Sequence, residues 1–203
     1  MEYELSVLTV SLLVLAGFIA GFINTIAGGG SMLTLPALML MGMQADIANA
    51  TNRVGIFLQS VAGARGFHKH GKLQLDTVIP TLLPTVLGSL GGAVLASYLP
   101  LTWLKPALLF TMLGMAALML VQPNVVAPPP GTPVHTIAER PLAWFGLFFA
   151  GFYGGFVQAG VGFIIIATLA GVLRFDLVRT NALKMAINAA LTAIALAVFV
   201  VRE

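Results

Sequence analysis

The sequence predicts an all-α membrane protein. It has about six transmembrane helices and two re-entrant half-helices, set in two related halves with glycine-broken helices, the second half incomplete. Three observations carry this expectation. Hydrophobic residues make up 59% of the 203 positions and charged ones only 8%, with a mean hydropathy of +0.99; a soluble globular chain carries about 25% charged residues. Apolar runs recur at the length that crosses a bilayer core of about 30 Å, roughly 20 residues. Finally, Ala27-Gly28-Gly29-Gly30-Ser31 interrupts one such run, and a similar interruption follows later in the chain.

Three consecutive glycines carry a heavy backbone-entropy penalty inside a helix. At membrane depth they also free peptide groups that protein or water must satisfy, as at the binding sites of transporters with broken helices. A tight turn between two helices at the membrane surface is the plainer reading. Repetition favours the first: Ala16-Gly17-Phe18-Ile19-Ala20-Gly21-Phe22-Ile23-Asn24 before the glycines is echoed by Ala150-Gly151-Phe152-Tyr153-Gly154-Gly155-Phe156-Val157-Gln158 before Gly160-Val161-Gly162.

Taken in order, 5–27 is the first span, retained because Glu2 and Glu4 replace the basic start of a signal peptide. Residues 32–43 suit a half-span ended by Gly42, and Asp46 is placed to cap the next helix. The second span, 47–66, is polar near its start, with Asn49, Thr51, Asn52 and Arg53, then Gln59; a basic loop, 68–72, follows. The third span, 77–99, carries Pro80, Pro84, Gly88, Gly91 and Gly92, whose small residues permit close helix contact. A connection at 100–106 holds Trp103 and Lys105 as interfacial anchors, and 107–121 is the fourth span. Residues 142–158 and 163–172 repeat the long-helix, half-helix order, 174–176 is a polar turn, and 180–201 is the last span.

The whole chain, 1–203, thus reads as one transmembrane domain: a first repeat at 5–121, a proline-rich linker at 122–140 and a partial second repeat at 141–203. After the break the halves align at an offset of 132, placing Asn49 on Asn181 and Asn52 on Lys184. Two helices of the second repeat are missing, so the faces at 142–155 and 180–201 are expected to want cover from a second copy or another polypeptide, or a rotation of the last helix.

Ten Lys and Arg against seven acids are spread thinly, with no run suited to nucleic acid. There is no cysteine, no catalytic Ser-His-Asp set and no phosphate-binding loop, so neither an enzyme nor a cofactor is expected. All seven acids fall at helix ends or in loops, which leaves no intramembrane carboxylate for a proton relay. Basic residues divide five against five across the bilayer; with Arg53 and Lys184 set aside as site residues, the 68–72 loop and the N-terminus fall on the cytoplasmic side.

A half-helix that starts after glycines points unpaired N–H groups and a positive dipole end into the break. Two such breaks, ahead of Ser31 and Phe163, can face one another. The candidate substrate site is therefore Asn24, Gly28, Gly29, Gly30, Ser31, Asn49, Asn52, Arg53, Gln158, Gly160, Gly162, Asn181, Lys184 and Asn188. Plainer roles stand beside this one: Asn49 and Asn181 packing between helices, Arg53 and Lys184 reaching to the interface as anchors.

The glycine run from Gly17 to Ser31, the Asn49-Ala50-Thr51-Asn52 segment and the stretch from Gly151 to Gly162 resemble the sulfite exporter TauE/SafE family of membrane permeases. The resemblance implies a permease of a bacterial-type inner membrane for small, often sulfur-containing anions such as sulfite or organosulfonates. It implies about eight helices in two halves, against six here. The function expected is export of such an anion, driven by membrane potential or ion coupling; the alternative is a membrane scaffold or assembly subunit. The expected partners are the lipid bilayer, a small anion, and a second copy or a polypeptide supplying the missing helices.

Overall fold

The computed structural model describes residues 7–121 and 132–202. Glu2, Glu4, Glu203 and the proline-rich core of the linker lie outside the described residues. What is described is helical throughout: α1 (Val7–Ile26), α2 (Ser31–Leu40), α3 (Ala45–Lys69), α4 (Leu75–Tyr98), α5 (Leu101–Val121), α6 (Pro141–Phe156), α7 (Val161–Ile166) and α8 (Leu177–Arg202). A π-helical turn, Ala167–Val172, prolongs α7. Among the described residues α4 and the 177–201 stretch are long and apolar enough to cross a membrane, while α1, α2, α6 and α7 with its π turn are shorter apolar helices.

Several boundaries differ from the sequence reading, each for a local reason. Asp46 does not cap α3, because the helix already begins at Ala45 with Gln44 before it. Its carboxylate lies in the first turn, where it complements the helix dipole. His68 and Lys69 belong to α3, which turns only at His70 and Gly71. The 100–106 connection is absent: α5 starts at Leu101, the Pro100 carbonyl accepts from the Trp103 and Leu104 amides, and Pro106 is inside the helix. Asp176 in the 174–176 turn is the working cap, its carboxylate accepting the Arg179 amide at 2.9 Å. Phe175 beside it is buried rather than part of a polar turn.

Polar and apolar residues are distributed inside out. Phe18 and Phe110 are 76% and 74% exposed on the outer surface, whereas Arg53 and Lys184 are both 0% exposed in the interior. A protein in water buries its apolar groups; one in hydrocarbon must instead hide its polar ones. The face of α8 carrying Lys184 and Asn188 turns inward and both side chains are buried, while Asn181 on the same stripe is half-buried.

The interior is built on α4, α6 and α8. Small residues let α4 and α6 meet backbone to backbone: a Cβ placed on Gly88 or Gly92 would lie 2.1 or 1.9 Å from the carbonyl oxygens of Phe148 and Phe152, and one on Gly151 or Gly155 would meet those of Thr85 and Ser89. This is the small-xxx-small contact of lipid-embedded helices, from both sides. Gly92→Ala is therefore expected to lower stability in detergent by about 1–3 kcal/mol through overpacking. Gly91→Ala, whose Cβ would sit at an ordinary 3.6 Å from the Phe152 ring, should keep or raise the unfolding midpoint.

Candidate functional site

The two chain breaks have the same backbone pattern, 130 positions apart. At the end of α1 the Ala27 and Gly28 amides both return to the Ile23 carbonyl, at 2.7 and 3.2 Å; at the end of α6 the Val157 and Gln158 amides both return to Tyr153, at 2.8 and 3.3 Å. Gly28 and Gln158 then take positive φ, 89° and 67°. Leu33 donates to Gly30 and Phe163 to Gly160, each at 3.0 Å, and the half-helices begin at Ser31 and Val161. Gln158 therefore corresponds to Gly28, not to Asn24, and the second half-helix starts two residues before Phe163. The side-chain echo misleads because Gln158, a non-glycine, occupies the left-handed position usually left to glycine. Two bonds steady it there: its Oε1 accepts from Arg53 Nη1 at 3.1 Å, and its Nε2 donates to the Thr192 hydroxyl.

The breaks meet each other. A Cβ on Gly28 would be 2.6 Å from Gly162 Cα, and one on Gly162 would be 2.4 Å from Gly28 Cα. Gly30 is equally close to α1, its notional Cβ 1.9 Å from the Ala20 carbonyl oxygen. Gly28, Gly29, Gly30, Ser31, Gly160 and Gly162 are all buried. Gly28, Gly30 and Gly162 thus serve close backbone packing, and the two breaks touch at Gly28 and Gly162.

A helix that stops inside the protein leaves its last carbonyls without amide partners and its negative dipole end uncompensated. Here a cation from the other half supplies both needs at each break. Arg53 on α3 reaches the end of α6, donating from Nη1 to the Gly154 carbonyl at 2.9 Å and from Nη2 to Gly155 at 2.7 Å and Phe156 at 3.1 Å. Lys184 on α8 reaches the end of α1, where Nζ donates to the Asn24 and Thr25 carbonyls, both at 2.9 Å, and to Asn181 Oδ1 at 2.7 Å. Asn24 and Thr25 stand 130 positions before Gly154 and Gly155, so the capped carbonyls are equivalent. Both side chains are fully buried and bonded to these carbonyls, so the anchor reading of each gives way to this one.

The neutral candidates gather round these caps. Asn49 Nδ2 donates to the Phe156 carbonyl at 3.4 Å, and Asn24 Nδ2 to Gln59 Oε1 at 3.0 Å. Asn52 Oδ1 accepts the Thr34 hydroxyl. Asn188 is buried one face-turn beyond Lys184. Four buried polar atoms here have no protein partner: Asn49 Oδ1, Asn52 Nδ2, Arg53 Nε and Asn188 Oδ1. The candidate list omitted Gln59, Thr34 and Thr192. Of these only Gln59 carried a signal, a lone amide on an apolar run; the threonines are indistinguishable in sequence from ordinary helix-face residues.

No carboxylate approaches the two cations among the described residues. Asp46, Asp76, Glu139 and Asp176 are all exposed at helix starts or in the loop before α6. Glu139 accepts the Thr136 amide at 2.8 Å, which, with the weaker pull of His135 and Arg140, holds its carboxyl below the usual range. Among the described residues, no three His, Asp or Glu side chains come together to hold a metal ion.

The family model described as Sulfite exporter TauE/SafE matches residues 13–203. Curated relatives include a probable membrane transporter protein of Sinorhizobium, 33% identical over 166 residues, covering 78% of this chain and 61% of the relative. Another, from Escherichia coli K12, is 28% identical over 194 residues, covering 92% of this chain and 68% of the relative. A third, from Haemophilus influenzae, is 28% identical over 183 residues, covering 88% and 69%. The chain therefore spans about two thirds of the length of these relatives. No solved structure matches it. With its inside-out distribution of polar groups and a family match over nearly its whole length, the chain belongs to the sulfite exporter TauE/SafE family and is a membrane protein.

Proposed function

We propose that the protein is a multi-pass permease of a bacterial-type inner membrane that moves small anions, sulfur oxyanions and organosulfonates among them. The observation that carries this reading is the pair of fully buried cations, Arg53 and Lys184, with no carboxylate against either among the described residues. Helix ends offset only about half a charge each. The interior is left with excess positive charge in a low-dielectric setting, which favours an entering anion and opposes a cation. The substrate is held through neutral amides and hydroxyls in the field of the cations, because their own donors are mostly committed to carbonyls.

Export is the direction we propose, since an inside-negative potential drives a monovalent anion outward by about 2.3 kcal/mol per 100 mV. Purified protein in vesicles loaded with labelled sulfite or a short sulfonate is the test. A potential of 100 mV, negative inside, should shift the equilibrium ratio of a monovalent anion by about 50-fold. Absence of flux for every anion tried, from folded protein, would favour the scaffold or assembly reading instead.

A second expectation concerns the buried charge. Arg53→Lys keeps the charge but offers three donors where four bonds are made now, so anion selectivity should survive with stability lowered by about 1–3 kcal/mol. Arg53→Met removes the charge and its field, and anion flux should fall by about tenfold or more. Unchanged flux in Arg53→Met, with the protein folded, would remove that charge from the mechanism.

A further inference from the structure

The backbone likeness of the two breaks continues beyond them. Each half-helix ends on the same bond, the Met43 amide on the Leu38 carbonyl at 3.2 Å and the Leu173 amide on Thr168 at 3.1 Å, again 130 positions apart. The long helices that follow open on another, Ala48 to Gln44 and Thr180 to Asp176, both at 2.8 Å and 132 positions apart. So α1 corresponds to α6, and α3 to α8. What lies against the two pairs differs. α4 packs on both α6 and α8. Its Gly88 and Gly92 meet the Phe148 and Phe152 carbonyls, and Ser89 Oγ donates to the Leu191 carbonyl at 2.8 Å. Among the described residues no helix takes that place against α1 and α3, where a groove bordered also by α2 lies open.

The correspondence holds residue by residue. On α8, Leu183, Ile187 and Leu191 are buried. Their counterparts on α3 are Thr51 and Gly55, both exposed, and Gln59, half-buried, and all three line the groove. On α6, Leu147 and Gly151 are buried; their counterparts on α1 are the exposed Gly17 and the half-buried Gly21, again groove residues. A Cβ on Gly17 or Gly55 would meet nothing within 4 Å, and one on Gly21 only Gln59 Nε2, at 3.8 Å. Packing within the chain therefore does not call for glycine at these positions, although glycine weakens a helix. At Gly151, by contrast, a Cβ would lie 2.1 Å from the Thr85 carbonyl oxygen of α4.

We infer that the groove is the seat of a further membrane-spanning helix of α4's kind, with small residues four apart on one face, contributed from outside these 203 residues. The inference goes beyond the anion-permease reading and holds whatever the solute. The sequence reading looked for an uncovered face at 142–155 and 180–201; α4 lies on both of those helices, and the open face is the corresponding one on α1 and α3. An acyl chain has no use for backbone access at Gly17 and Gly21, whereas helix contact in a bilayer depends on it. A second copy offers no free helix of this kind, since the glycine face of its α4 is closed by α6 and α1 is itself a wall of the groove. The third of the relatives' length outside the match leaves room for a helix of α4's 24 residues. Thr25 stands where α6 has Gly155, and Gly17 where it has Leu147. The closest approach is therefore near Gly17 and Gly21, one turn further from the break.

The test places the full chain in lipid vesicles with a synthetic peptide of the α4 sequence, Leu75–Tyr98, flanked by lysines. The chain has no cysteine, so Gly21→Cys in the protein and Thr85→Cys in the peptide give one reporter each, the counterpart of the Gly151–Thr85 contact. A disulfide between them should form and saturate with peptide, and a peptide cysteine at Ser97 instead should form none. Gly88→Leu with Gly92→Leu in the peptide, which leaves the protein untouched, should lower the cross-linked fraction at limiting peptide by about tenfold. Gly17→Leu in the protein should do the same, while Gly66→Leu, equally free of contacts but away from the groove, should not. Equal cross-linking by the leucine peptide would show a groove that takes any apolar surface. A Gly21→Cys disulfide between two copies of the chain would show a dimer interface, and no disulfide to the peptide would show a groove left to lipid. Each of these results overturns the inference.

Discussion

Two buried cations hold the ends of two broken helices, each cation coming from the opposite half of the chain. The rest of the architecture depends on this exchange. A helix stopping in a hydrocarbon setting exposes carbonyls that neither lipid nor a following turn can satisfy. A fully buried Arg or Lys, in turn, is costly unless its donors are used and its charge is offset. Each defect remedies the other. Arg53 meets the carbonyls of Gly154, Gly155 and Phe156, and Lys184 meets those of Asn24 and Thr25. The match is incomplete in one respect: a helix end contributes only part of a charge, so a positive field is left over, and the proposed anion permease rests on that residue of charge.

The crossing also explains why the halves stay together. α3 and α8 pack on one another while each holds the other half's broken helix, so neither half keeps its own helix end in place alone. The glycines act at shorter range. Gly28 and Gly162 let the two breaks touch, and the Gly88, Gly92, Gly151 and Gly155 set brings α4 and α6 to backbone contact. Elsewhere glycine leaves room: Gly17, Gly21 and Gly55 border an open groove between α1, α2 and α3. One residue type thus closes space in one place and opens it in another; which one depends on what stands opposite the missing side chain.

Much of this was legible in the sequence. Composition gave the membrane setting, and the glycine run with its later echo located both breaks to within a few residues. The unusual polarity of 49–53 and of 181–188 marked the inward faces of α3 and α8. The partner of each cation was not legible, because a bond from residue 53 to residues 154–156 depends on how distant helices cross. The register of the repeat was misread for a related reason: similarity of side chains pairs Gln158 with Asn24, while equality of backbone pairs it with Gly28. Helix boundaries at Pro106 and His68 were lost to propensity, since proline and basic residues signal ends in water more firmly than they do where packing and lipid enforce the helix. The groove bordered by Gly17, Gly21 and Gly55 had no sequence signature, its glycines resembling those that pack.

The central claim is the crossing itself, and amide hydrogen exchange on two variants in detergent tests it most directly. Lys184→Met should speed exchange over residues 23–31, at the end of α1, and leave residues 153–161 as protected as before. Arg53→Met should do the reverse. Loosening of each cation's own half, or equal loosening of both breaks in both variants, would contradict the account.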